Sequence, residues 1–149
     1  MGDVMDKSVA LSNIIMELHV PSFDVVREFY GKLGFVEVWS YPPKDQSGYM
    51  VMQRVDSVLA FFCGNEEVYN HSYFNQFDKS TPRGYGTELA IYITDVDIEK
   101  YYSDVVSKID QKYVVQELMV KPWGSKDFRL IDPFGFYLCF REPTNILHK

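Results

Sequence analysis

The chain has 149 residues, a mass of 17.4 kDa and a formal charge of −6. This length and a hydrophobic content of 46% favour one domain with a real core and argue against disorder. Clustered Lys and Arg are absent, so we expect no nucleic-acid partner. No stretch resembles a signal peptide or a membrane span, and two cysteines make neither a disulfide scaffold nor a zinc motif. We therefore expect a cytoplasmic protein without a membrane partner.

The first half of the chain predicts a strand, a helix and three more strands. Residues 1–12 are polar and predict an arm, and residues 14–20 predict a strand. Ser22 is a typical N-cap for the helix that follows, and Gly34 is a typical end for it. Residues 35–41 then predict a second strand.

Two further strands follow a loop. The segment YPPKDQSG predicts a loop because it holds two prolines. Residues 49–54 and 57–63 predict a hairpin about a tight turn at Val55 and Asp56. Residues 64–86 are rich in turn formers, Tyr and Phe, and predict a connector packed through its aromatic side chains.

The second half repeats this order. A strand at residues 88–93 precedes a helix capped by Thr94 or Asp95 and ending near Ile109. Three strands are predicted after it, near residues 113–120, 127–131 and 136–141. The segment DPFG predicts the turn between the last two.

An internal repeat relates the two halves. Residues 20–29 match residues 93–102 without a gap, which predicts that one supersecondary unit is used twice. We expect an α+β fold with tandem β-α-β-β-β units at about residues 13–63 and 87–142. Together with the connector at 64–86, they would form one domain over residues 1–149.

The repeat and its motifs resemble the vicinal oxygen chelate superfamily, which includes glyoxalase I, extradiol dioxygenases and bleomycin-resistance proteins. The motifs are FYGKLGF, PWGSKDF and DPFG, and the hairpin MVMQRVDSVLAFF is most similar to the bleomycin-resistance branch. The resemblance implies a curved mixed sheet that forms a cup. It also implies a homodimer with ligand clefts at the subunit interface, to which the arm could cross.

The resemblance places four metal-ligand positions at Ile15, Ala60, Glu88 and Cys139. Ile and Ala offer no donor atom, while divalent metals need at least three protein ligands. We therefore expect no metal and no cofactor. Glu88 could line the cup, contact a ligand or act as a general base, but sequence identifies no partner for it. Cys139 is expected to be a small buried hydrophobe.

Strand alternation predicts the side chains that line the cup. Its polar groups would be Glu17, His19, Glu88 and Arg141. The predicted ligand-binding residues are Phe35, Trp39, Tyr49, Phe62, Glu88, Trp123 and Tyr137. Phe35 and Trp39 are expected on one face of the second strand, where aromatic rings could stack on a flat ligand. Alternatively, Phe35 belongs to the core and the two Trp cover a dimer seam.

Three functions are compatible with the sequence. The first is a metal-free protein that sequesters a flat, possibly cationic, antibiotic-like molecule. The second is a lyase, isomerase, dioxygenase or thiol transferase of the same fold with an atypical metal site. The third is a scaffold or regulatory module without a working pocket.

Overall fold

The computed structural model describes residues 14–144, so the predicted arm and its crossing to a partner lie outside the described residues. Eight strands and two α-helices form two β-α-β-β-β units, as the sequence predicted. The first unit contains β1 (Met16–Val20), α1 (Phe23–Lys32), β2 (Val36–Lys44), β3 (Ser47–Arg54) and β4 (Ser57–Cys63). The second contains β5 (Glu88–Tyr92), α2 (Ile98–Lys108), β6 (Val114–Val120), β7 (Lys126–Ile131) and β8 (Tyr137–Arg141). Short 3-10 helices lie at Glu66–Asn70, Phe74–Gln76 and Gln111–Tyr113.

Each unit forms one four-stranded mixed sheet, with strand orders β1-β4-β3-β2 and β5-β8-β7-β6. The first strand of each unit pairs in parallel with the last, and the other pairs are antiparallel. Because side chains alternate along a strand, one face of each sheet packs on the helices and the other, called the open face here, points away from them. None of the helices within residues 14–144 is long and apolar enough to cross a membrane.

Helix α1 follows its sequence signals closely. The Ser22 hydroxyl accepts a hydrogen bond from the Val25 backbone N–H at 3.3 Å. The apolar residues of the helix are buried, from Phe23 through Tyr30 to Leu33 just after it. Gly34 then adopts a φ of +90°, a conformation that glycine takes without strain, and the chain turns into β2.

The prediction that the two halves match without a gap is wrong between the first strand of each unit and its helix. Val20 and Ile93 are both buried at the ends of matching strands, but α2 begins at Ile98, two residues later than the repeat requires. Asp97 caps it, accepting from the Glu99 backbone N–H at 2.8 Å, instead of Thr94 or Asp95. With the two extra residues, Ile98 becomes the first residue of α2, as Phe23 is of α1, and both are buried in the core.

The predicted loop over YPPKDQSG is also wrong. Strand β2 continues through both prolines to Lys44, and only Asp45 and Gln46 form the turn before β3. Proline lacks an N–H and is tolerated at a sheet edge, which is where β2 lies. The prolines occupy an irregular stretch of pairing between Tyr41 and Lys44.

Two tyrosines join the units across the helix layer. The Tyr30 hydroxyl of α1 donates to Asp132 Oδ2 at 2.7 Å, in the turn between β7 and β8. The Tyr101 hydroxyl of α2 donates to the Leu33 carbonyl at 2.6 Å, and the Arg54 guanidinium lies 4.5 Å from the Tyr101 ring. Arg54 also forms an ion pair with Asp95 at 3.0 Å. Each helix therefore contacts the other unit through a directional polar group.

Candidate ligand-binding site

The open face of the first sheet brings together several predicted site residues. Glu17 pairs in register with Ala60, and Tyr49 pairs with Phe62. The Tyr49 hydroxyl donates to Glu17 Oε1 at 2.7 Å, while its ring lies 6.1 Å from that of Trp39. Burial and the nearby Glu17 carboxylate raise the pKa of Tyr49 to about 12, so the phenol stays protonated and remains a donor.

Phe35 does not join this group. It is 3% exposed, precedes β2 and packs edge-on against Tyr30, 5.8 Å between ring centres, in the helix-side core. A register shift between Glu37 and Trp39 reverses the side-chain alternation, and this bulge places Trp39 opposite Val51 on the open face. The expectation that Phe35 and Trp39 share a face is therefore wrong, and the core alternative applies to Phe35.

The open face of the second sheet is charged. Glu88 Oε1 lies 3.0 Å from Arg129 Nη1 and 3.7 Å from Arg141 Nη2. Arg129 also lies over the Tyr137 ring at 5.8 Å, and its Nη1 donates to the Tyr137 hydroxyl at 3.4 Å. Sequence suggested no partner for Glu88, whereas the structure gives it two arginines.

The four positions where the resemblance places metal ligands do not fit a metal ion. Ile15 and Ala60 have no donor atom, and Glu88 is held by two cations that would repel a metal. Burial raises the pKa of the Cys139 thiol, which disfavours the thiolate that binds metals. Within residues 14–144, no three His, Cys, Asp or Glu side chains are grouped so that they could hold a metal ion.

The connector is anchored at both ends. The Gly64 N–H donates to the Val20 carbonyl at 2.9 Å, and the Gly84 N–H donates to the Gly135 carbonyl at 3.2 Å. A side chain at Gly84 would place Cβ 2.5 Å from that carbonyl oxygen, so only glycine permits this approach.

Between these anchors the connector packs on β1 and β4 through aromatic rings, as predicted. The Phe74 ring stacks on His19 with 4.9 Å between ring centres, and His71 meets both of these rings edge-on or tilted. His71 Nδ1 accepts from the Tyr73 and Phe74 backbone N–H groups at 3.1 and 3.3 Å. This fixes the ring that covers His19 and the neighbouring Phe62.

A cavity of about 460 Å³ lies between the connector, β1, β4 and the starts of β5 and β8. We call it the connector cavity. It lies within the ~300–1,000 Å³ range of small-molecule sites, and most of its lining is apolar. Of the residues predicted for the cup, Phe62, Tyr137, Glu17 and His19 line this cavity.

More than half of the lining residues belong to the connector and were not predicted as site residues, among them Tyr69, Arg83 and Lys79. The connector has no hydrophobic periodicity, and only its aromatic content signalled a packed role. Trp39 and Trp123 do not line the cavity and are 55% and 61% exposed.

His19 is the titratable group at the inner wall. It is 9% exposed, and its Nε2 is buried without a hydrogen-bond partner within the described residues. Burial, with the positive charge of Arg83 as a second cause, lowers its pKa to about 4. His19 is therefore neutral at pH 7 and is not positioned as a metal ligand.

Comparison with known proteins establishes the fold. No protein-family model and no curated protein matches the chain. Among solved structures, a bleomycin-resistance determinant encoded on transposon Tn5 is similar, with 22% identity and a TM-score of 0.59 over 88% of this chain and 97% of that chain. A bleomycin-binding protein complexed with bleomycin has 22% identity and a TM-score of 0.60, over 89% and 99% of the two chains.

A glyoxalase-related enzyme from Fulvimarina pelagi is similar as well. It has 16% identity and a TM-score of 0.62, over 89% of this chain and 88% of that chain. The chain therefore has the fold of the vicinal oxygen chelate superfamily, as the motifs indicated, with bleomycin-resistance-like neighbours. At these identities the likeness shows the fold alone.

Proposed function

We propose that this protein binds a small, flat organic molecule and holds it without transforming it. The observation that carries this proposal is the connector cavity, an apolar space of drug-sized volume bounded by Phe62 and Tyr137. A structural neighbour that is a bleomycin-binding protein supports the same mode of action. The poor fit of the four metal positions supports binding without metal chemistry.

The proposal includes a homodimer whose interface extends the ligand cleft. The edge strands β2 and β6 support a dimer because both expose apolar side chains. These are Val36, Val38, Trp39 and Tyr41 on β2, and Val115, Met119 and Val120 on β6. Trp123, beside β6, is also exposed. In the dimer, exposed rings such as Trp39 and Trp123 could cover the part of the ligand that emerges from the cavity. We place the protein in the cytoplasm, where its free Cys63 and Cys139 would stay reduced.

The binding proposal is tested by calorimetric titration with metal-free bleomycin and a panel of flat heteroaromatic molecules. We expect one saturable site per chain and unchanged ligand after recovery. Phe62→Ala should weaken binding by about 1–3 kcal/mol, because its ring is a wall of the cavity. Absence of binding across the panel, or ligand turnover, would overturn the proposal.

The dimer and the outer aromatics need separate measurements. Light scattering should give a mass near twice 17.4 kDa. Trp123→Ala should weaken ligand binding by about 1–3 kcal/mol if the ring is a stacking anchor, and Trp123→Phe should retain most of the affinity. A monomer whose affinity is unchanged by Trp123→Ala would confine the site to the connector cavity.

A further inference from the structure

Two cations of the connector lack acceptors. Lys79 Nζ and the Arg83 guanidinium lie over the Tyr69 ring, 5.4 and 5.0 Å from its centre. Within residues 14–144 neither side chain makes an ion pair or a hydrogen bond, and Arg83 Nε is buried. A guanidinium has five donors, and a buried donor without an acceptor costs about 1–3 kcal/mol. The arrangement thus leaves donors available for a ligand.

The carboxylates of the same cavity are already engaged. Glu17 Oε1 accepts from the Tyr49 hydroxyl, and Asp78 Oδ1 accepts from the backbone N–H and the hydroxyl of Ser80, both at 2.9 Å. His19 is neutral at pH 7 and adds no charge there. The formal charges of these two carboxylates balance those of Lys79 and Arg83, but only the two cations are left without a hydrogen-bond partner among the described residues.

Most of the remaining lining is apolar and includes Phe62, Phe77, Leu89 and Phe136. An apolar space beside an unpaired guanidinium and ammonium suits a molecule with a hydrophobic body and one anionic group. A cationic ligand would leave the donors of Arg83 and Lys79 without an acceptor, whereas an anionic group would supply one.

We propose that the connector cavity binds amphipathic organic anions, with the anionic group on Arg83 and Lys79 and the apolar body against Phe62 and Phe136. This inference rests on the proposed binding function and specifies its ligand class. It makes the ligand anionic where the sequence analysis considered a possibly cationic one, because the cavity offers donors without acceptors.

Two dyes with a common aromatic body test this. The first, 8-anilinonaphthalene-1-sulfonate, is anionic, and N-phenyl-1-naphthylamine is its neutral counterpart. Fluorescence titration of the native protein should give an affinity about tenfold or more higher for the anion. Arg83→Met should lower the affinity for the anion about tenfold and leave that for the neutral dye unchanged. Arg83→Lys should restore most of the loss.

A matched control lies elsewhere in the chain. Lys112 also sits over a tyrosine ring, that of Tyr113 at 5.2 Å, but does not line the cavity. Lys112→Met should leave both affinities unchanged, whereas Lys79→Met should lower only the affinity for the anionic dye. Equal affinities for the two dyes, or equal effects of Lys79→Met and Lys112→Met, would overturn the anion proposal while leaving a neutral binding site.

Failure of the proposed function gives a different result. In that case neither dye binds with a defined stoichiometry, and Phe62→Ala changes neither titration. If the cavity is the site, Phe62→Ala weakens both dyes by similar factors, because it removes the shared apolar wall. The thermal midpoint of each variant checks that it is folded at the temperature of the titration.

Discussion

At the scale of single residues, the Tyr30 hydroxyl is a polar group inside the core, and it hydrogen-bonds to one carboxyl group. Tyr30 is fully buried, and its hydroxyl donates a hydrogen bond to Asp132 Oδ2 at 2.7 Å. Asp132 Oδ1 accepts from the backbone N–H groups of Phe134 and Phe136 at 2.9 and 2.8 Å. The carboxyl thus ties a helix of the first unit to a turn of the second.

Tyr30→Phe should lower the free energy of unfolding by about 1–3 kcal/mol, because a buried carboxyl loses a donor. Tyr101→Phe removes a hydrogen bond to the Leu33 carbonyl and should cost about 0.5–1.5 kcal/mol. Urea unfolding of both variants measures the difference. A smaller loss for Tyr30→Phe than for Tyr101→Phe would contradict the greater cost of leaving the buried carboxyl without its donor.

His19 should make stability depend on pH. Its pKa in the folded protein is about 4, against an ordinary value of 6.5, so the unfolded chain binds the proton first. Stability should therefore fall as pH decreases from about 6.5 to about 4, with a contribution from His19 of about 1–3 kcal/mol.

The control for this prediction removes the imidazole. Urea unfolding at pH 7 and pH 4.5 should show a smaller pH effect in His19→Phe than in the parent, while carboxyl titrations are common to both. An identical pH effect in the two proteins would show that His19 is not protected from protonation in the fold.

At the scale of elements, the N-cap of α2 shows where local sequence stops being decisive. Thr94, Asp95 and Asp97 are all residue types that cap helices, and they lie within four positions. Tertiary packing selects Asp97, because Ile98, Tyr101 and Val105 then face the core. Asp95 instead pairs with Arg54 of the other unit, a contact that sequence alone does not reveal.

Asp97→Ala should therefore lower the free energy of unfolding by about 0.5–2 kcal/mol through loss of the cap on the Glu99 N–H. Thr94→Ala, an exposed position with no capping bond, should change it by less than about 0.5 kcal/mol. Thermal and urea unfolding measure both. A larger effect at Thr94 than at Asp97 would contradict the observed helix start.

Whether other features were predicted from the sequence also depends on whether their causes are local or long-range. The Ser22 cap, the Gly34 end of α1 and the Val55 turn were predicted because each depends on a few adjacent residues. The path of β2 through two prolines was missed because an edge position is a property of the assembled sheet. Arg83 and Tyr69 were missed as site residues because the connector is positioned by distant anchors at Val20 and Gly135.

At the scale of the whole molecule, reciprocal contacts between the units should make unfolding one event. Each unit holds one of the two tryptophans, Trp39 in β2 and Trp123 between β6 and β7. In the Trp123→Phe variant the fluorescence of Trp39 therefore reports the first unit, and in the Trp39→Phe variant that of Trp123 reports the second. Each probe should give the same urea midpoint as circular dichroism of the same variant, and Tyr30→Phe should lower the midpoint reported by both probes.

The result against this expectation is also specific. Two separated midpoints, with Tyr30→Phe shifting only the Trp39 signal, would show that the units unfold independently despite the Tyr30–Asp132 and Tyr101–Leu33 contacts. Comparison with circular dichroism in each variant removes differences in stability caused by the Trp→Phe change itself.

The prolines at the end of β2 have a consequence for the behaviour of the protein in concentrated solution. This edge strand exposes Val36, Val38, Trp39 and Tyr41, an apolar row that could recruit a strand from a neighbouring molecule and start fibril growth. Pro42 and Pro43 remove two consecutive backbone donors from the strand, on opposite sides of it, so the free edge loses a donor and the irregular pairing there interrupts a regular ladder. The strand can thus keep an adhesive apolar surface for a specific partner while resisting uncontrolled polymerisation of the sheet.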